Sequence, residues 1–146
     1  MIQITDALYI GDSHDEAHAN LDMLQIEAIL NVAQDLHGTR GWTDRVEYMQ
    51  VGLIDGPGNP LSAYYAATLA LATLLKRSRV LVCCHSGGRS LAVAIMHMNM
   101  TYKRSWSEQF DVLRERLDTE LPSVHVAHEL AFNKMNWRLS AVASED

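Results

Sequence analysis

The feature that most constrains this chain is an alternation. Short apolar runs, each suited to one buried strand, are separated by stretches with helical patterning. The strand candidates are Leu8-Tyr9-Ile10 before Gly11, Ile26 to Ala33, Val46 to Leu53 and Arg79 to Val82. After the first, Asp12 or Ser13 can cap a helix running to about Leu24, with Ala17, Leu21 and Leu24 on one side. A polar loop is expected from Gln34 to about Arg45. The segment Asp55-Gly56-Pro57-Gly58-Asn59-Pro60 is the densest cluster of turn residues in the chain. Asn59 as N-cap and Pro60 as first helical residue predict a helix that is apolar nearly all round and therefore buried. Further helices are expected from Ser90 to about Met100, from the capping box Ser105-x-x-Glu108, and from Pro122-Ser123 to near Leu139. Strands alternating with helices predict an α/β domain, with a small, largely parallel central sheet and helices on both faces.

Composition narrows the function classes. At 146 residues the chain suits one domain, expected over residues 1–146. Twelve Lys and Arg against eighteen Asp and Glu give a net charge of -6, which argues against a nucleic-acid partner. The richest apolar stretch, Leu61 to Leu75, is 15 residues long and interrupted by Ser62, Thr68 and Thr73, so no membrane span is expected. The N-terminus shows no secretion signal. The two cysteines, Cys83 and Cys84, are adjacent, which suits neither a disulfide framework nor a zinc site. A cytoplasmic location and a monomer are the expectations. The pairs His14/His18 and His125/His128 have helical spacing but no third metal ligand, and read as solvated helix faces.

The informative segment is Val80-Leu81-Val82-Cys83-Cys84-His85-Ser86-Gly87-Gly88-Arg89-Ser90. A buried strand ends in a thiol, a glycine-containing loop follows, and a helix opens beside an arginine. A short loop feeding a helix N-terminus can aim several backbone N–H groups at one anion. Arg89 adds a planar fork matched to two phosphate oxygens. Positive potential of this kind also favours a thiolate over a thiol.

Val82-Cys83-(five residues)-Arg89-Ser90 resembles the signature of the cysteine-based protein phosphatases, and the surroundings look like their small dual-specificity branch. Ile4 to Gly11 and Ile29 to Ala33 look like that branch's first two strands. Tyr48 to Asp55 looks like the strand leading to its general acid, and Trp106 through Leu117 like its penultimate helix. The resemblance implies a cysteine-phosphatase-like fold and hydrolysis of phosphomonoesters through a phosphocysteine, without metal or organic cofactor. Its substrates would be proteins phosphorylated on Tyr and on Ser or Thr, or another phosphomonoester. Cys83 would be the nucleophile, Arg89 with the loop from Cys84 through His85, Ser86, Gly87 and Gly88 would hold the phosphate, Asp55 would be general acid, and Ser90 would donate to the departing sulfur. The chain is too short for the extra recognition elements of larger tyrosine-specific relatives, which implies a shallow cleft.

Two positions depart from the family pattern. Val82 stands where the family has His, and Ser86 where it has Gly, if Cys83 is the nucleophile. Taking Cys84 instead restores the order His85-Ser86-Gly87 but shortens the loop to four residues before Arg89. Loop length decides whether the amides converge, so Cys83 is the expectation and Cys84 the alternative. A catalytically weak phosphate-binding module and a rhodanese-like sulfurtransferase are the rival functions.

Overall fold

The structure is a computed structural model and describes residues 1–38 and 45–135. Eleven elements follow one another among those residues. They are β1 (Ile2–Gln3), β2 (Leu8–Gly11), α1 (Ser13–His18), α2 (Leu21–Leu24), β3 (Ala28–Ala33) and β4 (Glu47–Leu53), then α3 (Leu61–Leu75), β5 (Val80–Cys83), α4 (Gly88–Tyr102), α5 (Trp106–Arg116) and α6 (Val126–Lys134). The sheet runs in the order β1-β2-β5-β3-β4. The last four strands of that order pair in parallel, and β1 alone is antiparallel, folded back on β2. This is the expected α/β architecture with a small, largely parallel sheet.

The core lies on both faces of that sheet, which explains why β2, β3 and β5 are buried along their whole length. On one face Leu21 and Ile26, with Ala19 and Leu24 beside them, pack on Tyr9, Ile29, Leu81 and Cys83. The other face is larger. There Ile10, Leu30, Val82 and Cys84 meet Tyr64, Leu71, Leu91, Ile95, Leu113 and Phe132, drawn from α3, α4, α5 and α6. No helix among the described residues is long and apolar enough to cross a membrane.

Several boundaries differ from expectation, each for a local reason. The helix after β2 breaks after His18, because the Asn20 side chain accepts from the Met23 amide and starts a new turn. Asp12 caps α1, through a reciprocal bond with Asp15. Helix α3 begins at Leu61 with Pro60 at its cap, and Asn59 turns its side chain back to the Ile54 backbone instead of capping. Nor is α3 buried all round: Tyr64, Ala67, Thr68, Leu71 and Leu74 form one buried stripe, while Leu69 is exposed. Helix α6 starts at Val126, capped by His125. Pro122 and Ser123 lie outside it, in a segment against the loop after β5. Residues 39–44 of the expected polar loop and the expected end of the last helix near Leu139 lie outside the described residues.

Candidate active site

In a parallel sheet all carboxyl ends lie at one edge, and ligands bind in the crevice beyond them. Here β2 ends at Gly11, β3 at Ala33, β4 at Leu53 and β5 at Cys83. The register confirms the shared edge, since Cys83 pairs with Gly11 on one side and with Asn31 on the other. The segments leaving that edge carry Asp12, Asp35, Asp55 and Cys84.

Successive side chains of a strand point to opposite faces. The two cysteines obey this rule. Cys83 packs with Tyr9, Ile29 and Leu81 on the α2 side, whereas Cys84 belongs to the cluster beneath α4. Both are buried. The Cys84 sulfur accepts from the Gly87 amide at 3.2 Å, the Ser90 amide at 3.4 Å and the Ser90 hydroxyl at 3.2 Å. The same hydroxyl lies 3.2 Å from the Gly11 carbonyl, so its one proton can go to either acceptor. Three donors at the start of a fifteen-residue helix thus surround one sulfur. That is an arrangement suited to an anionic sulfur and to an anion beside it.

Two glycines make the turn possible. Gly87 has φ of 91°, and a Cβ there would lie 2.9 Å from the Pro122 ring. At Gly88 a Cβ would run into the Ser123 carbonyl oxygen, a backbone atom that cannot swing away. The loop is therefore clamped between its strand and the 122–124 segment.

Arg89, in the first turn of α4, is 3% exposed. Its Nη1 donates to the Leu53 carbonyl at 2.7 Å and to Asp35 Oδ1 at 2.8 Å. The first bond ties the helix to the end of β4, two residues before Asp55. The second meets a carboxylate whose side chain is 66% exposed. The Arg89 hydrogen bond is the main cause holding the Asp35 carboxyl below its usual range. His85 joins them, with Nε2 3.2 Å from the Asp35 carbonyl oxygen and 3.5 Å from Oδ2. Asp35 is placed by the turn after β3, where Asn31 Nδ2 and Gln50 Nε2 both donate to the Leu36 carbonyl.

Asp55 sits on a loop closed by Asn59. The Asn59 amide accepts from the Ile54 N–H at 2.8 Å and donates to the Ile54 carbonyl at 2.8 Å and the Gly56 carbonyl at 3.4 Å. The Asp55 side chain is 53% exposed, and its Oδ1 lies 3.2 Å from Nε2 of the fully buried His128. Burial pushes the His128 imidazole below its ordinary value. Among the described residues no three His, Cys, Asp or Glu side chains come together as metal ligands.

Neither a family model nor a curated protein matches the chain by sequence. Solved structures do. Human DUSP28 superposes with a TM-score of 0.73 at 17% identity, covering 100% of both chains. A mouse dual specificity phosphatase solved with zinc tungstate gives 0.76 at 19% identity, over 98% of this chain and 89% of that one. The human tyrosine phosphatase-like serine/threonine/tyrosine-interacting protein gives 0.70 at 17% identity, over 90% and 92%. The fold is that of the small dual-specificity phosphatases.

Within this dual-specificity-phosphatase fold, the residues expected from the signature lie along one edge, but the two cysteines point to opposite faces of the sheet. Gly87 and Ser90 donate to the Cys84 sulfur, Gly88 and Arg89 lie between them in the chain, and the Arg89 guanidinium turns to Leu53 and Asp35. Cys83 faces the opposite side of the sheet, and the four-residue interval to Arg89 is the one that wraps a sulfur. His85 and Ser86 are exposed on the loop, and His85 turns to Asp35. Three further residues join the edge without having been singled out for it: Asp35, Tyr64 and His128. Asp35 had only its place just beyond a strand end to mark it. His128, expected on a solvated face, is 0% exposed because α6 turns it toward Tyr64 and Asp55.

Proposed function

We propose that the protein hydrolyses phosphomonoesters through a phosphocysteine, with Cys84 rather than Cys83 as nucleophile. The observation that carries this reading is the set of three donors on the Cys84 sulfur, from Gly87 and Ser90. A buried sulfur with that many directed hydrogens, in a loop that runs into the buried Arg89, is suited to attack on an electrophile rich in anionic oxygens.

In the first step the Cys84 thiolate attacks phosphorus in line, an S–P bond forms and the ester P–O bond breaks. Arg89 and the loop amides hold the equatorial oxygens, where charge must be stabilised as the transition state forms. Displacing the Arg89–Asp35 contact frees one N–H for that purpose. Asp55 gives a proton to the leaving oxygen. In the second step water attacks phosphorus and returns its proton to Asp55. The S–P bond breaks, and the Ser90 hydroxyl donates to the departing thiolate. Phosphate leaves with the enzyme restored.

The exposure of Asp35 and Asp55 at the mouth supports an open site, suited to phosphotyrosine and to the shorter phosphoserine and phosphothreonine of proteins. Burst kinetics with p-nitrophenyl phosphate tests the reading. The protein is expected to release a stoichiometric burst of nitrophenol and then turn over. Cys84→Ser should lose both while still binding phosphate, and Cys83→Ser should keep most of the rate. Activity in Cys84→Ser with none in Cys83→Ser would overturn the assignment. Phosphate binding without any burst would identify a phosphate-binding module, and thiosulfate-to-cyanide transfer a sulfurtransferase.

A further inference from the structure

A chain of hydrogen bonds runs from the backbone of the Asp55 loop through the protein interior and back to Asp55. Its direction can be read from donor and acceptor chemistry alone. The Asn59 Oδ1 atom accepts from the Ile54 N–H, which fixes the orientation of that amide. Its Nδ2 then donates, reaching the Tyr64 hydroxyl oxygen at 3.2 Å. Tyr64 is 1% exposed, and its hydroxyl proton must find an acceptor. Among the described residues the acceptor within reach is His128 Nδ1, at 2.7 Å. Nδ1 is therefore bare, and in the neutral ring the proton sits on Nε2. That N–H points at Asp55 Oδ1, 3.2 Å away.

We propose that His128 is a positioning residue for the general acid: it presents Nε2–H to Asp55 Oδ1, so that Oδ2 is the oxygen that carries and delivers the proton. The inference rests on the reading of Asp55 as that acid. A carboxyl group that is half exposed would otherwise rotate freely and offer its proton from either oxygen. Pinning one oxygen from a fully buried ring removes that freedom before substrate arrives, which is where orientation gains rate.

The neutral state of the ring is what the arrangement needs, and its surroundings favour it. The groups around His128 are Asp55, Tyr64, His125 and Arg89. His125 caps the same helix with ring centroids 6.1 Å apart, and the Tyr64 ring packs edge-on at 5.8 Å. Burial is the largest influence and disfavours the imidazolium, His125 and Arg89 act in the same direction, and Asp55 acts against them. A neutral ring keeps Nδ1 as the acceptor for Tyr64, so the direction of the chain is preserved.

The test compares leaving groups. Phenyl phosphate needs its leaving oxygen protonated, whereas p-nitrophenyl phosphate departs largely without help. His128→Phe fills the space without an N–H and is expected to lower kcat/KM, which reports the step that expels the leaving group, about tenfold with phenyl phosphate, below the ~10²–10⁴-fold cost of losing the acid itself. With p-nitrophenyl phosphate the change should stay within about twofold. His128→Gln, which keeps an amide N–H near the position of Nε2, should recover part of the loss. Tyr64→Phe keeps the ring in place but frees the tautomer, and should give a smaller loss with the same leaving-group dependence. In an Asp55→Asn background none of these changes should cost anything more. Equal losses with both substrates, or no loss from either His128→Phe or Tyr64→Phe while Asp55→Asn remains selective, would overturn the proposal. An Asp55→Asn variant without leaving-group dependence would overturn it too, and would place the fault in the choice of acid.

Discussion

Asp35 and Asp55 leave adjacent parallel strands at the same edge of the sheet, two residues beyond β3 and two beyond β4, and both are more than half exposed. Their partners make them different. Asp35 meets a guanidinium, Arg89, which favours its charged form. Asp55 meets one N–H of a neutral, buried imidazole, which occupies one oxygen and leaves the other available. A carboxyl group pinned to an arginine is a poor proton donor, but it competes with any phosphate for the same N–H. Under the proposed mechanism, two similar side chains in similar places serve opposite tasks, one to exchange a proton and one to yield its place to substrate.

Removing each carboxylate in turn gives the largest contrast. Asp55→Asn should lower kcat/KM, which reports formation of the phosphocysteine, ~10²–10⁴-fold for phenyl phosphate and far less for p-nitrophenyl phosphate. Asp35→Asn should leave the leaving-group dependence as it is. Inhibition constants for inorganic phosphate and vanadate measure its effect, which should be tighter binding by roughly two- to fivefold, taking the surface ion-pair range for a pair whose carboxylate partner is exposed. A leaving-group-selective loss in Asp35→Asn, with none in Asp55→Asn, would exchange their roles.

The smallest effect separates the two regions by pH. Asp35 has its carboxyl held below the usual 3.8, so the unfolded chain binds that proton first as pH falls. Its contribution is present above about pH 3.8 and is lost as pH drops through the lower, folded value. His128 is held below 6.5 by burial, and again the unfolded chain protonates first. Stability should therefore begin to fall below about pH 6.5, a window shared with the half-buried His97. Denaturant midpoints should show Asp35→Asn flattening the curve only in the acid window, with an effect under about 1 kcal/mol. His128→Phe should flatten part of the fall below pH 6.5. The reverse pattern would mean that the two sites are wired otherwise.

The same contrast marks where the amino-acid sequence is legible. The β5–loop–α4 unit is readable because a short apolar run, glycines and an arginine each require a particular backbone. Which sulfur enters the loop is not. Strand β5 is buried on both faces, so its side chains do not alternate between apolar and polar, and the usual indicator of face is missing. The loop interval pointed to Cys83, and the hydrogen bonds around Cys84 show that four residues suffice to wrap a sulfur. Asp55 was marked by its dense turn. The partner of Asp55 was hidden for another reason: Tyr64 and His128 are 64 positions apart, and only the packing of α6 on α3 joins them.

The central claim is that chemistry passes through the sulfur inside the loop. Asp55→Asn should still form the covalent intermediate from p-nitrophenyl phosphate but hydrolyse it slowly, because no group takes the proton from water. Rapid acid quench of that variant, followed by fragmentation of the peptide that contains both cysteines, reads the attachment site directly. Phosphate on Cys84 is the predicted result; phosphate on Cys83, or no phosphoenzyme at all, would contradict it.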